Sequence, residues 1–184
     1  MPAYSGKAQP NLDAIAEGVF SSIGFRNWII EGTSAAAKYH DALPLIDEQR
    51  DVRWAKKPTK QPFWANYWCG RDTRCTCRVY GSKGLESDAI FFLKNENWRR
   101  LAIHVEFKHS REQFSFGQAA CYPLRADCFS KTHQQRSTLN AHEDWITVIF
   151  CDDAALRKEE LECFDRIIRH SDAAGYLAGW PKSA

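Results

Sequence analysis

The sequence lacks the features of a membrane or exported protein. No apolar run approaches the roughly 20 residues that a membrane-spanning helix requires. The first residues, MPAYSGKAQPNLD, contain neither the basic nor the apolar stretch of a secretory signal peptide. Internal repeats, low-complexity stretches and an evident linker are also missing. We therefore expect residues 1–184 to form a single domain in the cytoplasm, with no membrane partner.

Neither charge nor cysteine content indicates a special class of protein. The net charge is only +2, so composition alone does not indicate a nucleic-acid-binding protein, and any phosphate-facing charge would have to be local. The seven cysteines are an odd number in a chain without a recognisable signal peptide. This argues against a disulfide framework, and we expect most of them to be reduced core thiols.

The hydrophobic pattern divides the chain into four segments. We expect a loose leader at residues 1–11 and N-terminal helices at 12–53. A motif-bearing core should follow at 73–151, and a C-terminal helix with a tail at 152–184. Within these segments Asn11 is a predicted N-cap and Gly24 a predicted helix end. Further helices are predicted over 25–33, 34–50 with a kink at Pro44, 115–130 and 154–170. Strands are predicted within 73–80 and over 88–93, 99–108 and 145–151.

The order of these elements indicates the fold class. Short turns make the first three strands an antiparallel meander, and the helix before the fourth strand permits a parallel crossover. We therefore expect an α/β fold whose mixed central sheet is flanked by helices, with extra helices at the N-terminus.

The strand over 99–108 has the clearest pattern. Its odd positions are apolar, whereas its even positions include Glu106 and Lys108. A hairpin folded about residues 95–97 places Asp88 opposite a position between 103 and 106. The carboxylates of Asp88 and Glu106 can then approach each other, and Lys108 shares the face of Glu106.

Two carboxylates and one ammonium at a strand end favour phosphodiester chemistry. Carboxylates at close range repel each other, and a hard divalent cation such as Mg²⁺ relieves that repulsion. The cation also lowers the pKa of a bound water and stabilises charge that develops at phosphorus. A nearby lysine can orient that water or neutralise the phosphate.

These residues resemble the motif of the PD-(D/E)XK phosphodiesterase superfamily, which has the restriction-endonuclease-like fold. The segment ESD ends at Asp88, with Ser87 where the family often has proline, and EFK spans Glu106 to Lys108. The order of elements also looks like the αβββαβ core of that family. In addition, Gln118 and Tyr122 are spaced like the QxxxY motif of its exonuclease-type branch, on a helix that leans over the metal site.

The resemblance covers about residues 73–151 and implies a Mg²⁺- or Mn²⁺-dependent nuclease that acts on DNA in repair, restriction or defence. It implies that Asp88 and Glu106 ligate the metal, with the Phe107 carbonyl as a further ligand. Lys108 would assist the attacking water, and Gln118 with Tyr122 would support the site or the substrate backbone.

Other charged residues are candidates for supporting roles. Many members of the superfamily add a helix carboxylate, for which the candidates are Glu48, Glu31 and Glu17, or Glu86 on the strand of Asp88. Phosphate contacts are predicted for His109, Arg111 and Arg125, although exposed charges are usually only solvated.

Two other functions remain open from the sequence. One is a catalytically inactive domain of the same fold that binds nucleic acid or protein, because 184 residues leave no room for a large specificity domain. Specificity could then come from a homodimer or a partner protein. The other is a zinc-stabilised interaction domain built on Cys69, Cys75 and Cys77, together with His40 or His104. The C-x5-C-x-C spacing differs from the usual C-x2-C pairs of zinc sites, so reduced strand cysteines are preferred.

Overall fold

The computed structural model describes residues 7–55, 60–69, 75, 77–82, 86–132, 138–152 and 156–181. Its helices are α1 (Gln9–Ser21), α2 (Ile23–Ile30), α3 (Ile46–Trp54), α4 (Cys121–Thr132), α5 (Lys158–Leu161) and α6 (His170–Tyr176). Its strands are β1 (Leu43–Pro44), β2 (Ala65–Trp68), β3 (Glu86–Lys94), β4 (Arg100–Phe107), β5 (Asp144–Cys151) and β6 (Arg166–Arg169).

The strands form one mixed sheet in the order β1-β3-β4-β5-β6, and β2 pairs with β3 on the same edge as β1. Strands β2, β3 and β4 are antiparallel neighbours, as the predicted meander requires. The pairs β4–β5 and β5–β6 are parallel, and α4 forms the crossover between β4 and β5. The expected α/β class with a mixed central sheet is confirmed.

Helices cover both faces of this sheet. The odd residues of β4 pack in a large core with residues of α1 and α2, which include Leu12, Ile15, Val19, Phe25 and Ile29. The even residues face α4, whose Cys128 and Phe129 pack against Ile90 and Ala102. The alternation seen in the sequence is therefore confirmed, but the even face is buried under α4 and not open to solvent.

The N-terminal helices differ from the prediction. Helix α1 begins at Gln9, with Pro10 in its first turn where no backbone donor is needed, so Asn11 is a buried helical residue and not the N-cap. The predicted loose leader is therefore wrong over residues 9–11. Gly24 lies within α2, and the boundary falls at Ser22, whose side chain accepts a hydrogen bond from the Phe25 amide at 3.2 Å.

The helix predicted over 34–50 is wrong for most of its length. Residues 31–42 form turns, Pro44 lies in β1, and only the later part is helical, as α3. Gly32 and Asp41 have φ values of 75° and 58°, which break a right-handed helix.

Two further predictions are corrected in the second half of the fold. The first strand of the meander is β2, which pairs with β3. Of the range 73–80, residues 75 and 77–80 lie in no strand, and residues 73, 74 and 76 lie outside the described residues. The amphipathic stretch 154–170 contains the short helix α5 and strand β6, since Ile168 is buried by pairing beside β5. The helix predicted over 115–130 begins later, at Cys121.

Candidate functional site

The pairing of three strands brings polar residues into one row. Ala65 pairs with Ala89, and Ala89 pairs with Val105, so that Asn66, Asp88 and Glu106 are the next positions in register. They line a pocket of about 170 Å³, whose other lining residues are Ala8, Leu12, Glu86, Phe107, Lys108, His109, Glu112 and Gln118. The predicted approach of Asp88 to Glu106 is therefore present.

Asp88 lines this pocket and is held in place by a backbone hydrogen bond. Its Oδ2 accepts a hydrogen bond from the Phe107 amide at 2.9 Å. Desolvation raises the pKa of Asp88 well above its ordinary value, and the nearby Glu106 raises it further, against the opposing effects of the Phe107 amide and Lys108. Without a cation, the pocket therefore disfavours the ionised form of this carboxyl.

Glu106 is only 2% exposed and accepts three donors. Lys108 Nζ lies 3.1 Å from its Oε1, and Gln118 Nε2 donates to the same oxygen at 3.0 Å. The Tyr122 hydroxyl donates to the other oxygen, Oε2. These donors fix the orientation of the carboxylate, which is the role expected of residues that support a metal ligand.

Lys108 is also buried, with 4% exposure. Burial acts to lower its pKa, but the carboxylates of Glu106 and Glu112 outweigh that effect and raise it. Its Nζ lies 3.4 Å from both Glu112 Oε1 and Gln118 Oε1, and 4.8 Å from the centre of the Phe114 ring. The side chain is therefore a fixed ammonium and cannot act as a general base at neutral pH.

Glu86 contributes a further carboxylate to the lining of the pocket. Its desolvation raises its pKa to about 7, with a further contribution from Glu106 and an opposing one from Arg125. Of the four candidates for an additional acidic ligand, it is the only one that lines the pocket. Glu48 pairs with Arg100 at 2.7 Å, Glu31 pairs with Arg166 at 3.4 Å, and Glu17 is exposed on α1.

Gln118 and Tyr122 both reach Glu106, but they do not lie on one helix face. Gln118 lies in the turn before α4, where its Oε1 accepts from the Ser115 amide at 3.2 Å, and Tyr122 is the second residue of α4. Desolvation raises the pKa of Tyr122 well above its ordinary value, and Glu106 adds to the effect, so that its hydroxyl remains a donor.

Of the three predicted phosphate-binding residues, only His109 lines the pocket. Arg111 is exposed, with a φ of 70°. Arg125 was predicted wrongly, because it is fully buried. Its Nη1 donates to the Glu86 carbonyl at 2.6 Å and lies 3.3 Å from Ser87 Oγ, so it fixes the start of β3.

Two polar residues that line the pocket, Asn66 and Glu112, were not predicted from the sequence. Asn66 is 8% exposed and has a φ of 54°, which asparagine tolerates better than most residues. Nothing in its sequence context distinguishes it from other residues of an aromatic segment. Glu112 contacts Lys108 Nζ and accepts from the His109 amide at 3.1 Å. In the sequence, only its position four residues after Lys108 indicated that it could contact that lysine.

His104 shares the face of Glu106 but has a structural role. It is fully buried, its Nδ1 lies 3.3 Å from Ser87 Oγ, and its ring packs against Phe129. Burial lowers its pKa well below the ordinary value, so the ring is neutral.

Four cysteines form a separate cluster. The sulfur atoms of Cys69, Cys75, Cys77 and Cys128 all lie within 4.8 Å of one another. The cysteines are free thiols as expected, but Cys69, Cys75 and Cys77 lie in no strand, and the sequence pattern did not reveal Cys128 as the fourth member of the cluster. Neither predicted histidine partner belongs to the cluster, since the exposed His40 contacts Asp41 at 3.1 Å.

A larger cavity, of about 440 Å³, lies between α2 and the β6–α6 region. Its lining includes Trp28, Arg166, Asp172 and Tyr176, and none of the residues of the nuclease-like motif. The converging carboxylates of Glu86, Asp88, Glu106 and Glu112 lie instead in the smaller pocket.

No protein-family model, curated protein or solved structure matches the chain. Among the described residues, no helix has the length and apolar character needed to cross a membrane.

Proposed function

We propose that the protein is a divalent-metal-dependent nuclease of the PD-(D/E)XK type that hydrolyses DNA phosphodiester bonds with Mg²⁺ or Mn²⁺. The observation that carries this proposal is the convergence of Asp88, Glu106 and Lys108 on one pocket. Lys108 Nζ lies only 3.1 Å from Glu106 Oε1. The consecutive elements α3, β2–β3–β4, α4, β5 also support the assignment, since they follow the αβββαβ order of that superfamily.

The donor set suits a hard cation. Glu86, Asp88, Glu106 and Glu112 line the pocket, whereas Lys108 is the only lysine or arginine among those lining residues that the structure describes. Carboxylate oxygens are the ligands that Mg²⁺ prefers, together with waters and phosphate oxygens of the substrate. Asp88 and Glu106 would hold the ion, and Glu86 would be the additional acid. That the Phe107 carbonyl is a further metal ligand stays a prediction.

The raised pKa of Asp88 agrees with this assignment. A carboxyl that resists ionisation in the empty pocket becomes a good ligand once a cation offsets the repulsion from Glu106. When bound, the ion would lower the pKa of a coordinated water and stabilise the charge that develops on the phosphate.

Lys108 would act as a fixed positive charge beside the reacting phosphate. Because Glu106 and Glu112 keep it protonated, it can donate hydrogen bonds to the attacking water or to a non-bridging phosphate oxygen. The Nε2 of Gln118 donates to Glu106, and its Oε1 lies near Lys108 Nζ. The amide of Gln118 therefore orients both groups. Tyr122 fixes the second oxygen of Glu106.

A cleavage assay with matched variants tests this function. We expect the wild-type protein to cut DNA in Mg²⁺ or Mn²⁺ but not in EDTA, and Glu106→Gln and Lys108→Ala to abolish cleavage. Glu17→Gln, an exposed change outside the pocket, should cut like the wild type. Circular dichroism would show that each variant is folded. Equal cutting by wild type and both site variants would refute the assignment.

The same assay separates the enzyme from an inactive binding domain of the same fold. A binding domain would retain DNA without cutting it and would show no saturable Mn²⁺ site that depends on Asp88. A setting in repair, restriction or defence, a cytoplasmic location, and a homodimer or partner that supplies specificity stay predictions.

A further inference from the structure

The cysteine cluster is independent of the carboxylate pocket. Cys69 follows β2, Cys75 and Cys77 lie on the connection from β2 to β3, and Cys128 projects from α4. Residues far apart in sequence therefore place four sulfur atoms together. None of these cysteines lines the pocket of Asp88 and Glu106.

The sulfur atoms surround a common point instead of forming two pairs. Cys69 Sγ lies 3.1 Å from Cys75 Sγ, 3.1 Å from Cys77 Sγ and 3.8 Å from Cys128 Sγ. Cys75 Sγ lies 2.7 Å from Cys77 Sγ and 3.6 Å from Cys128 Sγ. Two disulfides would instead give each sulfur one bonded partner at about 2.05 Å. All seven cysteines lie in the described part of the chain, and all are free thiols.

We propose that Cys69, Cys75, Cys77 and Cys128 bind a single tetrahedral Zn²⁺ ion as a structural site. With zinc–sulfur bonds of about 2.3 Å, the sulfur atoms of such a site lie about 3.8 Å apart. The sulfur separations here, which span 2.7 Å to no more than 4.8 Å, lie within about 1 Å of that value. Soft thiolates select zinc over magnesium, so the two sites would not compete for one ion.

The surroundings indicate a structural role. Cys69, Cys77 and Cys128 are buried, and the cluster lies in an apolar region with Tyr67 and Phe129. Four thiolates also leave no coordination position open for a substrate or water, unlike a catalytic zinc site.

A zinc ion would hold the connection from β2 to β3 in a fixed position relative to α4. No described residue of this connection, between Trp68 and Glu86, lies in a helix or strand. A zinc ion would attach it to α4, the helix that also carries Tyr122. Because Cys128 is six residues after Tyr122, the ion would lie about 9 Å along the helix from the residue that contacts Glu106.

Metal analysis of the full-length protein, purified without chelator, tests this site. We expect one zinc per chain in the wild type and far less in Cys128→Ser. Cys163→Ser, a half-buried cysteine outside the cluster, should retain one zinc. Asp88→Asn should also retain it, which makes a failure of this inference distinguishable from a failure of the nuclease assignment.

Two measurements keep the test valid if Cys128→Ser does not fold. Modification of the wild-type thiols with a mercurial should release one zinc per chain into a chromogenic chelator. Cobalt-substituted protein should show the thiolate-to-metal charge-transfer and d–d bands of a tetrahedral tetrathiolate site. Absence of stoichiometric zinc, stoichiometric iron in its place, or disulfides between these cysteines would overturn the assignment.

Discussion

Asp88 and Glu106 occupy opposed positions on adjacent antiparallel strands, and their carboxylates line the same pocket. Glu106 has three donors, whereas Asp88 has the Phe107 amide. The charge of Glu106 is therefore balanced by groups of the protein itself, whereas that of Asp88 needs a further cation.

Asp88→Asn should remove metal binding without destabilising the metal-free protein. The wild-type carboxyl has a raised pKa because of burial and Glu106, so its ionised form destabilises the empty pocket and a neutral amide does not. Mn²⁺ at 100 times its Kd should add about 2.7 kcal/mol to the free energy of unfolding of the wild type and nothing to that of the variant. Thermal or urea unfolding with and without Mn²⁺ checks this. Glu17→Gln, the control, should respond like the wild type.

In the metal-free protein, the pocket carboxyls should contribute less to the free energy of unfolding as pH rises. A carboxyl whose pKa is higher in the folded than in the unfolded state contributes stability at low pH, and this contribution disappears as pH rises through the folded value. For Glu86 the window extends from the ordinary value of 4.5 to about 7. Urea unfolding between pH 4.5 and 7.5 should show a smaller loss in Glu86→Gln than in the wild type. Parallel curves would contradict the raised pKa.

Mn²⁺ binding should release protons near neutral pH. Burial and the neighbouring carboxylates raise the pKa of Glu86 to about 7 and that of Asp88 well above its ordinary value, and a carboxyl must be ionised to act as a ligand. Titration calorimetry at pH 6.5 in two buffers of different ionisation enthalpy would give the number of protons released. We expect a positive number that decreases towards pH 8 and is smaller in Glu86→Gln. An affinity independent of pH would contradict this prediction.

Removal of the hydroxyl of Tyr122 should weaken catalysis while the fold is kept. Tyr122→Phe retains the ring and removes the donor to Glu106 Oε2, so we expect a loss of about 10- to 100-fold in kcat or in metal affinity. Tyr39→Phe is a matched control, because Tyr39 is also buried and donates to a carboxylate, Asp144, outside the pocket. Equal activity of the two variants would show that Tyr122 only fills space.

The sequence predicted best the elements whose pattern is local and strict. The alternation around Glu106 identified β4, the apolar run 145–151 identified β5, and the hairpin between β3 and β4 placed Asp88 correctly. These elements form the centre of the sheet, where burial depends directly on the period of two.

The parts that sequence patterns missed depend on distant residues. Cys128 joins the other cysteines only because α4 packs against the face of the sheet that carries Tyr67 and Ile90. Asn66 reaches the pocket through its register with Asp88, and helical spacing around 154–170 was outweighed by the pairing of β6 with β5. In each case tertiary contacts decide the outcome, and no local period encodes them.

Anomalous diffraction from crystals soaked in Mn²⁺ tests most directly whether the pocket holds the catalytic ion. We expect a peak within about 2 Å of carboxylate oxygens from both Asp88 and Glu106, with Lys108 Nζ beside it but not bonded to it. The peak should be absent in crystals of Asp88→Asn. Saturating Mn²⁺ that leaves this pocket empty, or that binds only elsewhere, would contradict the nuclease assignment.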